Sequence, residues 1–282
     1  MDKIFICTND SQLIGAKVAK SSILRRSSFT EDQVEIIEER SVVEFSDIYN
    51  QSFLRNGKII KFDPNDFQSF TLLRFHIPLL MNYQNKALVI DPDIFLIREG
   101  LEKIFEFSEQ SPVSAIQSIY DNFWDSSVML LDCSKLLTWD IKKFIEKIKT
   151  GEMDYQDILN LKFCNDQVSK LNSKWNQFDQ ILENTILLHT TARISQPWRV
   201  GLKFNSYIKP ILKIIPREWI YKIMGRPFDK GIEHPDAKVT KFFFNELKHA
   251  LKDEHISMEN LSDAVKNNFV RRDIFEVLKR VD

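Results

Sequence analysis

Two carboxylates, Asp91 and Asp93, close the apolar tract KALVI within KALVIDPDIFLI. Residues two apart in extended chain project to the same side, so both acids face one way at the strand end. Hard cations such as Mn²⁺ or Mg²⁺ take oxygen ligands of this kind and often complete their shells with phosphate oxygens. The pair therefore reads as a holder of a divalent cation against a phosphorylated ligand, with a solvated acidic turn as the plain alternative. Pro92 between them has no N–H, which costs little where a strand ladder stops. His189 ends a second apolar tract, NTILLHT, whereas His249 and His255 fall in a helical carboxyl-terminal stretch. One imidazole beside two carboxylates suits Mn²⁺; a hydrogen-bonded histidine at a domain edge is the other reading.

The phosphate charge has few other places to go. The chain holds 7 glycines in 282 residues, none in GxGxxG or GxxxxGK[ST] spacing, which excludes a glycine-rich phosphate cradle. A formal charge of −1 with 28% charged residues excludes the global basic field of a nucleic-acid binder and the acidic excess of a disordered chain. Cys7, Cys133 and Cys164 are far apart within apolar tracts and read as buried thiols of a reduced compartment. The apolar stretch in MDKIFICTND is too short for a signal peptide, and no tract approaches the roughly 20 apolar residues of a membrane span. These features point to a cytoplasmic protein.

Positioning two acids and a histidine at strand ends takes a sheet, and the chain supplies its pieces. KIFICT is a strand followed by capping chemistry in NDSQ, and Ile14, Val18, Ala19 and Ile23 recur at helical spacing, with Gly15, Ala16 and Ser22 as a thin face for the sheet. VEIIEE is a second strand, DPNDFQSFTLLRFHIPLL a helix opened at Asp63 and Pro64 and interrupted near Pro78, and KALVI an interior strand. A short helix from Leu101 to Phe107 precedes two strands, PVSAIQ and SSVMLLDC. Leu137, Ile141, Phe144, Ile145 and Ile148 then mark an amphipathic helix ended by Gly151. Strands alternating with helices imply a mostly parallel α/β sheet whose ligands sit outside the carboxyl ends of strands, where Thr8, Asn9, Asp10, Asp91, Asp93 and His189 all fall. Beyond Gly201 the periodicity of Val239, Phe242, Phe243, Leu247 and Leu251, and of Leu261, Val265, Phe269, Ile274 and Leu278, gives a helical appendage. The expected division is residues 1–200 and 201–282.

In order and approximate spacing, CTNDSQLIGAKVAKSSIL, FTLLRFHIPLL, ALVIDPDIFLI, FWDSSVMLLD, NDQ and LLHTTARISQPW resemble glycosyltransferase family 8, the glycogenin and lipopolysaccharide galactosyltransferase group. The resemblance covers residues 1 to about 200 and leaves the appendage uncovered. It implies a GT-A fold, a Rossmann-like sheet, and an Mn²⁺-dependent (or Mg²⁺-dependent) enzyme. That enzyme moves a sugar from a nucleotide diphosphate donor, usually a UDP-sugar, with retention at the anomeric carbon. Thr8, Asn9 and Asp10 match the loop that holds base and ribose; Asp91 and Asp93 match the DxD pair and His189 the third protein ligand. Arg74 matches the arginine that reaches the donor, and Asp166 and Gln167 match a DQ pair near the transferred sugar.

The departures are specific. Where the family has Asn-Ala-Gly, this chain has Asp125, Ser126 and Ser127, at the sugar or acceptor contact. HxxGxxKPW becomes HTTARISQPW, one residue longer, with Ala192 and Gln196 at the glycine and lysine positions. Arg193, Arg199 or Lys203 is expected to meet the phosphate in the lysine's place. Pro197 and Trp198 read as an acceptor shelf or as a packing corner. The basic, apolar tract 203–226 reads as packing on the catalytic domain, or as a peripheral contact with an anionic membrane that would bring the site to a lipid-linked acceptor. The acceptor class, saccharide, lipid-linked or protein, stays open. A protein that kept the fold and lost turnover is one rival. A haloacid-dehalogenase-type phosphatase is another, disfavoured by Phe95 where its motif wants Thr or Val.

Overall fold

The computed structural model describes residues 1–107, 111–118, 123–203 and 230–281. It divides into two compact units, Met1–His189 and Thr190–Asp282. Among the described residues no helix is long and apolar enough to cross a membrane. Of the tract 203–226, everything after Lys203 lies outside the described residues.

The first unit is mixed α/β. Its main sheet has the order β2-β1-β5-β8-β7-β9, built from β1 (Lys3–Thr8), β2 (Val34–Glu38), β5 (Lys86–Ile90), β7 (Val113–Gln117), β8 (Trp124–Asp132) and β9 (Val168–Lys170). Only β8 runs against its neighbours, so the sheet is mostly parallel, as expected. A hairpin pairs β3 (Ser52–Arg55) with β4 (Lys58–Lys61). A small sheet, β10-β11-β6, joins β6 (Ile94–Leu96), β10 (Gln177–Phe178) and β11 (Leu187–His189).

KALVI forms β5, the centre of the sheet, and Ala87 through Ile90 are fully buried, as a strand covered on both faces requires. Helix α1 (Leu13–Arg26) lays Ala16, Ala19 and Ser22 inward, and Ser22 Oγ accepts the Leu96 N–H of β6 at 3.0 Å. Small residues let the helix approach closely enough for that bond. On the other side the core gathers Phe75, Trp139, Phe144 and Phe163, with Phe75 5.2 Å from Trp139. There α3 (Ile141–Thr150) buries Ile141, Phe144, Ile145 and Ile148, Gly151 closes it at φ 77°, and the short α4 (Tyr155–Leu159) follows. All three cysteines are buried and free.

Two helix expectations change. The stretch from Asp63 to Leu80 is interrupted near Pro78, as expected, but the part before the interruption is not α-helical: Ser69–Phe75 is 3₁₀ and α2 is only Ile77–Leu80. Pro78 cannot donate to the Arg74 carbonyl, so a continuous α-ladder would break there. All seven residues of the 3₁₀ segment are buried, so packing on several sides rather than one amphipathic face fixes it. Leu101–Ile104 is likewise a 3₁₀ turn, not a helix to Phe107.

The second unit is helical where described: α5 (Ala237–Lys252), α6 (Met258–Lys266) and α7 (Ile274–Arg280) follow the apolar periodicity. Its opening segment carries 3₁₀ turns at Arg193–Ser195 and Pro197–Arg199. Trp198 is fully buried and stacks on Phe243 at 4.6 Å, and its carbonyl accepts the Arg271 N–H at 2.7 Å.

Candidate metal centre

Asp91 is the first residue past β5. Its N–H donates to the Ser127 carbonyl at 3.1 Å, carrying the β5–β8 ladder one step beyond the strand. Its own carbonyl accepts from Ile94 N–H at 3.3 Å, which makes Asp91–Ile94 a turn with Pro92 in the position proline favours. That turn delivers Asp93 to the same side as Asp91 and starts β6. Antiparallel pairing of β6 with β11 sets His189 opposite Ile94, so the imidazole reaches back over Asp93, with Nε2 3.4 Å from Asp93 Oδ1. Asp91, Asp93 and His189 each offer a ligand atom, all within 4.8 Å of one another, and all three are buried.

The surroundings hold each group in place. Arg74, 5% exposed in the 3₁₀ segment, donates from Nε and Nη2 to the two oxygens of Asp91 at 2.9 and 2.5 Å, and from Nη1 to Ser126 Oγ at 2.7 Å. Phe178 meets the imidazole edge-on at 5.4 Å. On its far side His189 Nδ1 lies 2.9 Å from Asn176 Oδ1 and 3.4 Å from Ser127 Oγ, while Asn176 Nδ2 donates to Ser127 Oγ at 2.9 Å. The serines owe their aim to a bulge. Ala115 and Ile116, adjacent in β7, face Met129 and Asp125 in β8, so Ser126, Ser127 and Val128 bow out of the β7 register. Asp125 steadies the bow by accepting the Ser127 N–H at 2.8 Å.

Burial is the dominant electrostatic fact. It pushes the Asp91 carboxyl up to about 6 in spite of the lowering influence of Arg74, with Asp93 adding to the rise. For His189 burial favours the neutral ring, but the Asp93 carboxylate outweighs it and the net direction is upward. Arg74 is likewise resisted by burial and raised by Asp91, so the guanidinium stays charged. Two acids against one fixed cation leave a deficit that a proton on His189, or a divalent cation, makes good. The donor set fits such a cation: two carboxylates and one imidazole, buried, converging, with the imidazole's second nitrogen held from behind.

Other expected residues lie elsewhere. Thr8 and Asn9 are buried at the end of β1, where Asn9 Nδ2 donates to the Asp66 carbonyl and to Ser69 Oγ, tying the loop to the chain before Arg74. Asp10 is exposed and pairs with Arg40 at 3.1 Å. Asp166 and Gln167 are exposed in the 3₁₀ turn before β9; their neighbour Asn165 accepts the Trp124 Nε1–H at 2.8 Å. Arg193, Pro197, Trp198, Arg199 and Lys203 belong to the second unit. There Arg199 is buried, and burial together with Arg193 draws its guanidinium down to about 9. Asn176 went unnoticed in the sequence, since nothing local ties the segment before β10 to the histidine strand with which it pairs.

No family profile and no curated protein matches the chain. Solved structures do. The galactosyltransferase LgtC, in complex with donor and acceptor sugar analogs, is 18% identical over 70% of this chain and 89% of its own, with TM-score 0.48. The glycosyltransferase GlyE of Streptococcus pneumoniae TIGR4 is 17% identical over 83% of this chain and 67% of its own, with TM-score 0.48. Mouse xyloside xylosyltransferase 1 is 12% identical over 68% and 99%, with TM-score 0.47.

Proposed function

We propose that the chain is a metal-dependent glycosyltransferase that moves a sugar from a nucleotide-diphosphate donor, a UDP-sugar, to an acceptor. The observation that carries this reading is the buried convergence of Asp91, Asp93 and His189 at strand ends. The six motifs in family order, with the DxD and its histidine in their places, support it. Asp91, Asp93 and His189 would hold Mn²⁺ or Mg²⁺. Such a cation, when bound, stabilises negative charge developing on a diphosphate leaving group.

The chain's own residues do the rest. Arg74 fixes the Asp91 carboxylate by two bonds, so the acid presents one orientation. Phe178 and the sheet keep water from the imidazole, which strengthens the electrostatics around it. Thr8, Asn9 and Asp10 are assigned to the nucleoside, and Asp125, Asp166 and Gln167 to the sugar. Arg193, Arg199 and Lys203 are assigned to the phosphates, and Pro197 and Trp198, both buried, to packing rather than to an acceptor shelf. Retention of configuration belongs to the same reading.

The test is release of nucleoside diphosphate from a panel of UDP-sugars with and without Mn²⁺, using wild type and Asp93→Ala. Metal-dependent release lost in the variant supports the enzyme. Tight donor binding without release supports a turnover-dead binding protein, and no binding of any sugar nucleotide refutes both.

A further inference from the structure

The imidazole of His189 can serve a cation only if its proton sits on the nitrogen that faces away from the carboxylates. Around that far nitrogen the protein has built a small, fully buried polar network. Asn176 is 2% exposed, Ser127 4% and His189 6%, so none of the three relies on bulk water. The carboxamide orientation assigns the hydrogens. Asn176 turns its Nδ2 to Ser127 Oγ, to which it donates at 2.9 Å, and its oxygen to His189 Nδ1, also at 2.9 Å. A carboxamide oxygen only accepts, so Nδ1 must donate, and the lone pair of the neutral ring is left on Nε2, facing Asp93.

We propose that Asn176 is a positioning residue for the cation site, which locks His189 in its Nδ1–H form and, through Ser127, couples the ring to the strand that carries Asp91. The coupling is physical and short: Ser127 Oγ takes the Asn176 bond while the Ser127 carbonyl takes the Asp91 N–H at 3.1 Å. A shift of the imidazole is thereby passed to the backbone of the first carboxylate. The bulge in β8 is what makes this possible, because Ser127 there has no β7 residue opposite it and can turn its hydroxyl to the network. The serines at positions 126 and 127 thus divide the work. Ser126 holds Arg74, the partner of Asp91, and Ser127 holds Asn176, the partner of His189.

The consequence is selectivity among cations. An imidazole held on line contributes more to Mn²⁺ than to the harder Mg²⁺, which favours oxygen. Partners behind a metal-bound histidine commonly carry 10–100-fold in metal affinity. Releasing the ring should therefore cost Mn²⁺ about that factor and Mg²⁺ much less.

This inference rests on the metal reading of Asp91, Asp93 and His189, and the experiment separates the two. Mn²⁺ binding to the full chain without nucleotide is followed by the electron paramagnetic resonance of free Mn²⁺, and Mg²⁺ binding by its competition. Wild type, Asn176→Ala, Asn176→Asp, Ser127→Ala and His189→Ala are compared. We expect Asn176→Ala to weaken Mn²⁺ by about 10–100-fold and Mg²⁺ by less than about threefold. Asn176→Asp keeps an acceptor for Nδ1–H and should restore most of the loss. Mn²⁺ affinity of Asn176→Ala within about twofold of wild type, with His189→Ala impaired, overturns the role of Asn176 and leaves the metal site standing. Equal binding, or none, in wild type and His189→Ala overturns both. A readout independent of variant folding is the ¹⁵N spectrum of wild-type His189 at a pH where the ring is neutral: Nδ1–H is expected, and Nε2–H refutes the assignment.

Discussion

Removing the Arg74 guanidinium should make the fold depend on a divalent cation. Both side chains of the Arg74–Asp91 pair are nearly out of water, 6% and 11% exposed, and the pair makes two direct bonds besides the one to Ser126. Breaking such a pair by deleting one partner leaves a buried charge uncompensated and costs about 3–5 kcal/mol. Arg74→Met preserves most of the apolar stem, so that range falls on the charge and hydrogen bonds rather than on packing. Two routes relieve the loss. Acid is one. Asp91 already has a carboxyl raised to about 6 by burial, and without the guanidinium it rises further. A raised folded value contributes stability that is present below the unfolded value and lost as pH climbs through the folded one. The variant's deficit should therefore be small at pH 5 and full at pH 7.5. The second route is a cation on Asp91, Asp93 and His189, which supplies the missing positive charge. The assay is urea denaturation of wild type and Arg74→Met at both pH values, in chelator and in saturating Mn²⁺. A deficit under about 1 kcal/mol in chelator at pH 7.5 would refute the account of a buried, charge-compensating pair. A deficit that Mn²⁺ leaves unchanged would refute the link between Arg74 and the cation site. Asp91→Asn placed on Arg74→Met should recover part of the loss, because it removes the orphaned charge.

Cation binding should strengthen with pH, since Asp91 and His189 both hold protons more tightly in the fold than free in water and Mn²⁺ must displace them. The Mn²⁺-induced rise in melting temperature should be larger at pH 7.5 than at pH 5.5, and the reverse order would count against these ligands. In the second unit, Gly231→Ala would put a Cβ 2.3 Å from the Arg199 carbonyl oxygen. Backbone must move to admit it, so a loss of about 1–3 kcal/mol is expected, with faster amide exchange over 199–203 as the local readout. Trp198→Ala empties a fully buried site stacked on Phe243 and should cost about 3–5 kcal/mol in urea titration; a loss below about 1 kcal/mol would show that the stack contributes little.

Much of this was legible from residues alone, for identifiable reasons. KALVI is apolar without alternation, and a strand with neighbours on both sides and both faces covered is what that pattern demands. Gly151 closes α3 because positive φ at a helix end suits glycine, and the apolar periodicity from Val239 to Leu278 survives as α5 to α7. Asp91, Asp93 and His189 were readable because each terminates an apolar strand. Long-range pairing was not readable. Nothing local says that β8 runs antiparallel between β5 and β7, or that a bulge turns Ser126 and Ser127 toward Arg74 and Asn176. Sequence spacing also favoured a helix around Arg74, where a seven-residue buried 3₁₀ segment forms instead, because burial on all sides erases the amphipathic contrast that periodicity measures. Asn176 hides for a similar reason: its role depends on parallel pairing of β10 with β11, a relation between segments rather than a property of either.

The placement of His189 as the last residue of the first unit has a consequence for synthesis. Asp91 and Asp93 leave the ribosome roughly a hundred residues before their histidine, an interval of about 5–20 s at ordinary elongation rates. Throughout that interval the acids would lie in a half-made sheet. Arg74 has by then already been made, seventeen residues ahead of Asp91, and is available to neutralise the first of them at once. The order of residues along the polypeptide, cation before acids before imidazole, is thus also a workable order of assembly, in which the arginine would stand as a temporary counterion.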